Sequence, residues 1–529
     1  MKTNNKRRLL PGLKRIAIKI AINVSILIFA GLIWGIFNYR SAPSAGEPWV
    51  EPNHETTFFV EPLNAHGDVN FLEATSQHFS EGVTPENNAL NKFIEVLVRN
   101  SEEYDPSALF ERVGFEKKNL ARQPFLGIED WIRKSNKQNN LDENTVNLAF
   151  QFATKTAWTP DQFPQLNQWL EHNNESFHSI EQGLERERYF HPLLGIPGDS
   201  FEPAIMTSQL HIVEELTGVA DYLEIRAMRS LGIGNAADAF NDLNRLYRLS
   251  ELLHQGVSGV EHQLAISYGE RAYRGICVVA MSDAASEDDL GSMLESLTHM
   301  EPSSTIVESL NVSARVMILD AMVHDSRSGY SLYLKTMADH SESLKYINRW
   351  FDNLVDVVRI KDDGVRIAEC KKIIDELKAQ SGRTRNFLSG RKSLGKTLGA
   401  IRIDSMAPDF HGHARMEVQT KAAYRQTQII VAAEILRRQS GSYPTSPDDV
   451  AKLLGGKIPT DPFNGKALAY EATAGTIKVG SHANPAIEIN NQTVTWDEFK
   501  KENESKVADS ISIQDLLEEV KKRQSELAK

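Results

Sequence analysis

Cysteine is nearly absent from this chain: only Cys277 and Cys370 occur among 529 residues. That scarcity excludes a disulfide framework and every cysteine-based metal spacing, leaving one disulfide or two buried thiols as the alternatives. Positive charge is scarce outside one end. Seven of the 59 Lys and Arg residues precede residue 20, so the rest carries 52 cations against 71 acids, a net −19. An acidic body with one short basic stretch argues against a nucleic-acid partner. Long apolar runs are missing with one exception, residues 20–39, IAINVSILIFAGLIWGIFNY, which hold no charge. At 41 % apolar and 25 % charged residues, the chain as a whole has ordinary globular composition for two to four domains.

Twenty uncharged residues cross a hydrocarbon core of roughly 30 Å as a helix. Lys2, Lys6, Arg7, Arg8, Lys14, Arg15 and Lys19 lie before the run and Glu47, Glu51, Glu55 and Glu61 after it. The positive-inside bias therefore keeps the N-terminus cytoplasmic and sends the body outward. The rival reading is a cleaved signal peptide, because Ala42-Pro43-Ser44-Ala45 supplies small residues. The run exceeds the usual h-region of about 7 to 15 residues, which favours an uncleaved signal-anchor. Gly31 and Gly35 form a G-x-x-x-G match that could serve as a dimer face, a weak signal in a span.

The order of elements follows from punctuation and period. Residues 1–19 are a basic cytoplasmic arm, 20–39 the transmembrane helix, and 40–66, rich in Pro, Glu and Gly, a linker. Residues 67–405 read as an α-helical extracytoplasmic domain, solenoid-like in part. Within it Thr84 is expected to cap a helix opening at Pro85, with Leu90, Phe93, Ile94 and Leu97 on one face. Thr159 is expected to cap another that buries Leu166, Trp169 and Leu170. The long period over 209–253 breaks at Gly232, Gly234 and Asn235, predicting a helical hairpin. Its small residues are similar to the turn of a tetratricopeptide unit, without a recurring 34-residue period. Helical patterns continue over 260–281, 290–299, 304–324 and 341–380. Residues 416–497 form a small α+β module: a helix over 416–439, a short helix capped by Ser446, and strands at 467–471 and 476–480 with a second hairpin at 486–496. Residues 498–529 are a charged helical tail.

The blocks SEGVTPENNA at 80–89, Trp158 through Trp169-Leu170, Arg226-Ala227-Met228 with Asp242-Leu243, and Gly441-Ser442-Tyr443-Pro444 with Asp461-Pro462-Phe463-Asn464-Gly465-Lys466 resemble a group of uncharacterised planctomycete-type single-pass envelope proteins. That resemblance implies a compartment and no functional residue. Residues 416–481 are separately similar to the soluble part of a type II secretion pseudopilin. The N-terminal span lacks the G-F-T-L-x-E processing signal, and 481–485 lack the acids of a calcium site.

No motif compels a chemistry. Gly390-Arg391-Lys392-Ser393-Leu394-Gly395-Lys396-Thr397 fits G-x-x-x-x-G-K-[ST], but the preceding residues are polar and basic where a strand is required, so chance or helix-packing glycines account for it. His411-Gly412-His413 near Asp404 or Asp409 falls short of the three or four ligands zinc needs. Glu261-His262 and Asp339-His340 are adjacent helical residues that point apart, whereas Glu251 and His254 share a face. The pairs Glu185 with Glu187, Asp288-Asp289 and Asp362-Asp363 read as solvated faces rather than acid–base sites. The basic stretch Arg383, Arg385, Arg391, Lys392, Lys396 and Arg402 is expected to meet an acidic part of the body rather than lipid or cell-wall polymer.

The fold class expected is mainly α with a small C-terminal α+β module. No catalytic, cofactor-binding or metal-ligating residue is assigned. The chain reads as a binding or scaffold protein of the cell envelope, held in the cytoplasmic membrane by its N-terminal helix, with lipid and an envelope protein as partners. The alternatives are a hydrolase-type enzyme with a site of scattered residues, or an accessory part of a secretion system.

Overall fold

The computed structural model describes residues 50–98, 105–139, 143–195, 205, 208, 211–302, 307, 309–327, 338–382, 390–473, 475–481 and 487–490, with residues 25 and 29. The expected arm, the 498–529 tail and nearly all of the expected span lie outside them. Among the described residues no helix is long and apolar enough to cross a membrane.

The chain is mainly helical. Its helices are α1 Phe71–Phe79, α2 Ala89–Leu97, α3 Ser107–Val113, α4 Ile128–Asn139, α5 Glu143–Ala153, α6 Pro164–Leu184, α7 His211–Gly232, α8 Ala236–Leu253, α9 Gly259–Met281 and α10 Glu287–Leu297. A π-helical segment, Ser309–Ala314, runs into α11 Arg315–Arg327. Then come α12 His340–Val358, α13 Asp363–Ser381, α14 Arg391–Met406, α15 Phe410–Ser440 and α16 Pro447–Leu453. Strands β1 Ala469–Ala472, β2 Thr476–Gly480 and β3 Ile487–Asn490 close an antiparallel meander in the order β1-β2-β3. The expected hairpin at 467–480 is present, and β3 adds to β2 with Ile477 opposite Ile489. Residues 491–496 lie outside the described set.

Two helix starts differ from expectation for the same reason. Thr84 and Asn87 bond each other, Thr84 N–H donating to Asn87 Oδ1 at 2.8 Å and Asn87 N–H to Thr84 Oγ1 at 3.3 Å, which closes a turn. The helix starts after Asn88, whose Oδ1 accepts from both Leu90 N–H and Phe190 N–H. Thr159 likewise closes a turn with Gln162, and Phe163, restricted by the proline after it, delays α6 to Pro164.

The hairpin of α7 and α8 turns where Gly234 adopts φ 86° and Asn235 caps α8 by accepting from Asp238 N–H at 3.1 Å. Gly232 cannot be larger, since a Cβ there would lie 2.0 Å from the Trp158 carbonyl oxygen. The Trp158 indole donates to Ile225 O at 3.2 Å, so the close approach is bonded as well as packed.

Helix α15 is the spine. Phe410 and Ala414 join one apolar cluster with α11, α12 and α14. Ala423, Tyr424, Val431 and Ile435 join a second with α2 to α10, and Ile429, Ile430, Ala432 and Ala433 join a third with the sheet. A helix buried on every side is expected when it passes through the middle of a large body. The helix of the expected C-terminal module therefore begins at Phe410 rather than 416 and also organises the helical body. Two of its buried polar residues bond across elements or turns: Gln426 donates to Val479 O at 2.8 Å, its Oε1 having no partner among the described residues, and Glu434 meets Arg437, Arg438 and the Tyr443 hydroxyl.

The two cysteines are free and buried, Cys277 in the cluster with the sheet and Cys370 in the cluster with α12. Burial pushes both thiols up to about 11.

Candidate functional site

Between α12 and α13 the chain breaks at residues 359–362, although no glycine or proline stands there. Asp362 ends the break as an N-cap, its Oδ1 accepting from Val365 N–H at 2.9 Å. Gly364 lets the helix start tuck under the 461–465 turn, where a Cβ would sit 2.7 Å from Phe463 O. This start and the adjoining part of α15 line one wall of a cleft of about 620 Å³.

Four charged residues from the two helices meet on the cleft wall. Asp363 and Arg366, three apart on α13, pair at 2.8 Å; Glu417 and Lys421 lie four apart on α15. Lys421 Nζ reaches Asp363 Oδ2 at 2.9 Å, and Arg366 Nη2 stands 3.8 Å from Glu417 Oε2. Asp363, Arg366 and Glu417 are all buried. Arg366 Nε has no hydrogen-bond partner among the described residues. The remaining lining includes Arg359, Lys361 and Glu301 with His254.

Burial raises the Glu417 carboxyl to about 7, a push that Asp363 reinforces and that Arg366 and Lys421 only partly oppose. Burial lowers the His254 imidazole to about 4. His262 falls to about 3, chiefly by burial and then through His254 and His413. The rings of His254 and His262 meet edge to face at 5.7 Å. At neutral pH the cleft therefore presents neutral imidazole, a carboxyl near its midpoint, and cations at floor and mouth.

The residues weighed from sequence lie as follows. Gly390 is the residue before α14, and Lys396 and Thr397 lie within that helix, so the G-x-x-x-x-G-K-T run forms no phosphate loop. Gly395 and Gly399 pack it onto α12, Cβ atoms there falling 2.2 Å from Asp339 O and 2.7 Å from Ser343 O. Thr397 donates to Ser393 O within the helix. His411 and His413 diverge: His413 is buried with Nε2 at 2.6 Å from Gln263 Nε2, while His411 stays half-buried, and Asp409 caps α15. Glu251 pairs with Arg248 at 3.1 Å, leaving His254 to the cleft. Glu261 closes a capping box with Ser258, Asp339 caps α12, and Asp289 closes a capping box with Ser286. Glu185 and Glu187 are exposed. Asp363 contradicts the expected solvated face, since it is buried between Arg366 and Lys421. Of the basic stretch, Arg402 pairs with Asp325 and Lys396 approaches Glu342 at 3.9 Å, both acids of this body; Arg383 and Arg385 lie outside the described residues.

Arg366, Glu417 and Lys421 were not singled out by sequence. Their spacings are those of ordinary surface ion pairs, and only tertiary burial separates them from such pairs. Among the described residues no group of three or more His, Cys, Asp or Glu could hold a metal ion. No family model, curated protein or solved structure matches the chain.

Proposed function

We propose that this is a single-pass protein of the cytoplasmic membrane whose extracytoplasmic body binds a small anionic ligand in the cleft between α13 and α15. The observation that carries the reading is the buried Arg366, ion-paired yet with an unused donor, in a cleft of about 620 Å³. Clefts of that size accommodate ligands of ordinary small-molecule dimensions, with a few placed polar groups setting specificity. Arg359 and Lys361 are exposed at its mouth, and cations on an otherwise acidic body concentrate an anion locally. The apolar segment 20–39 and the cations before it support the placement outside the cytoplasm.

The test is calorimetric titration of the full chain with citrate, glutamate, phosphate and galacturonate, beside neutral glucose. At least one anion binds one-to-one, and reversing the mouth charges with Arg359→Glu and Lys361→Glu weakens it by about tenfold or more. Equal binding by the variant refutes the reading. A hydrolase is the second reading, favoured by one observation: a carboxyl near 7 is suited to proton transfer at neutral pH. Turnover of the bound anion by the native chain, lost in Glu417→Gln, selects it over binding alone.

A further inference from the structure

A second cavity, of about 360 Å³, lies on the other side of the histidine pair and shares no lining residue with the cleft. His254 lines the cleft and His262 this pocket. Leu193, Leu310, Met317 and Phe410 supply apolar wall, and among the described residues no Asp, Glu, Lys or Arg lines it. The volume is more than twice the ~150 Å³ of an apolar cavity that takes up benzene. Its floor includes Gly259, where an added Cβ would meet nothing within 4 Å.

Two features mark one end of this pocket as a built site. The wall from Ser309 to Ala314 is π-helical, a geometry found mostly as short insertions at functional positions. On it the Ser313 hydroxyl is buried with no hydrogen-bond partner among the described residues. Buried hydroxyls are normally bonded, so an orphan on a residue that lines a cavity invites a partner within it. The pocket also holds the His413–Gln263 pair, closed at 2.6 Å, whose imidazole is kept neutral by burial.

From these we infer that the pocket binds a small, uncharged, largely apolar molecule with one hydrogen-bonding end, that end meeting the Ser313 hydroxyl. A charged ligand is disfavoured, because the described lining offers it no carboxylate, ammonium or guanidinium counter-ion. This site is independent of the anion reading of the cleft, and either can stand without the other.

The probes are p-cresol, which is one ring and one hydroxyl, and toluene, which lacks the hydroxyl. Both are titrated calorimetrically into the full chain in lipid nanodiscs, with empty nanodiscs subtracted. The native chain takes up one p-cresol. Ala314→Trp and, independently, Met317→Trp fill the pocket and abolish uptake while far-UV circular dichroism stays native. Ser313→Ala weakens p-cresol about three- to tenfold, the span of one net hydrogen bond, and leaves toluene unchanged. The inference is overturned by absence of p-cresol uptake, by uptake that survives both filled variants, or by Ser313→Ala weakening the two probes equally.

Discussion

Replacing Glu417 by Gln keeps the side-chain volume and removes one ionisation from the wall of the cleft. In the fold burial pushes the carboxyl up to about 7, against 4.5 for an exposed glutamate. A pKa raised by folding means that the folded state holds its proton more tightly than the unfolded chain does. The resulting stability is fully present below about pH 4.5, declines as the unfolded carboxyl ionises, and is gone above about pH 7. A shift of this size corresponds to roughly 3 kcal/mol across that window. The groups facing Glu417 are Asp363, Arg366 and Lys421, with His254 on the same cleft, and all of them stay in both proteins. Subtracting the variant's urea-unfolding free energy from the native one at each pH therefore isolates Glu417. The native chain is expected to lose roughly 3 kcal/mol relative to Glu417→Gln between about pH 4.5 and about pH 8. A difference that does not change with pH would mean that the carboxyl is solvated and that the cleft wall is misread.

Further outcomes follow from the same contacts. His254 and His262 are held neutral, with values near 4 and 3, so their contribution is present above about pH 6.5 and lost as pH falls toward those values; His262→Asn flattens the acid limb of the urea-unfolding curve. Gly395→Ala drives a Cβ into the Asp339 carbonyl and costs about 2 kcal/mol or more, whereas Lys396→Ala, whose ion pair is long and half exposed, costs less than about 1 kcal/mol in the same urea assay. The reverse order would mean that Gly395 is not packed against the Asp339 carbonyl. Gly232→Ala meets backbone at Trp158 and lowers the thermal midpoint, unlike Gly234→Asn, which keeps a residue tolerant of positive φ. Dithionitrobenzoate titrates two thiols in denaturant and reacts slowly with the native chain, since both cysteines are buried and free.

The helical character and the α7–α8 hairpin were legible because period and breakers agree: Gly232, Gly234 and Asn235 stop one helix and cap the next. The strands at 469–480 were legible from turn residues around 473–475 in the same way. The cleft was not. The stretch 341–380 keeps a helical pattern through Arg359, Ile360 and Lys361, and the break there is made by the Asp362 cap and by packing under Phe463. Missing that break meant missing the cleft it opens, and with it the burial that turns Asp363 from a surface acid into a site residue. Val418, Ala422, Ile429 and Ala433 give α15 an apolar side, and Glu417, Gln426 and Glu434 are buried as well. Local sequence does not reveal that such polar groups find Arg366, the Val479 carbonyl and Arg437, since those partners arrive from other elements or the next turn.

The proposal for compartment stands on the direction in which the body faces. Alkaline phosphatase and green fluorescent protein, each fused after Lys529 in a Gram-negative host, read that direction without disturbing the fold. The account predicts an active phosphatase and a dark fluorescent protein; a bright fluorescent protein with an inactive phosphatase would put the body in the cytosol and contradict it.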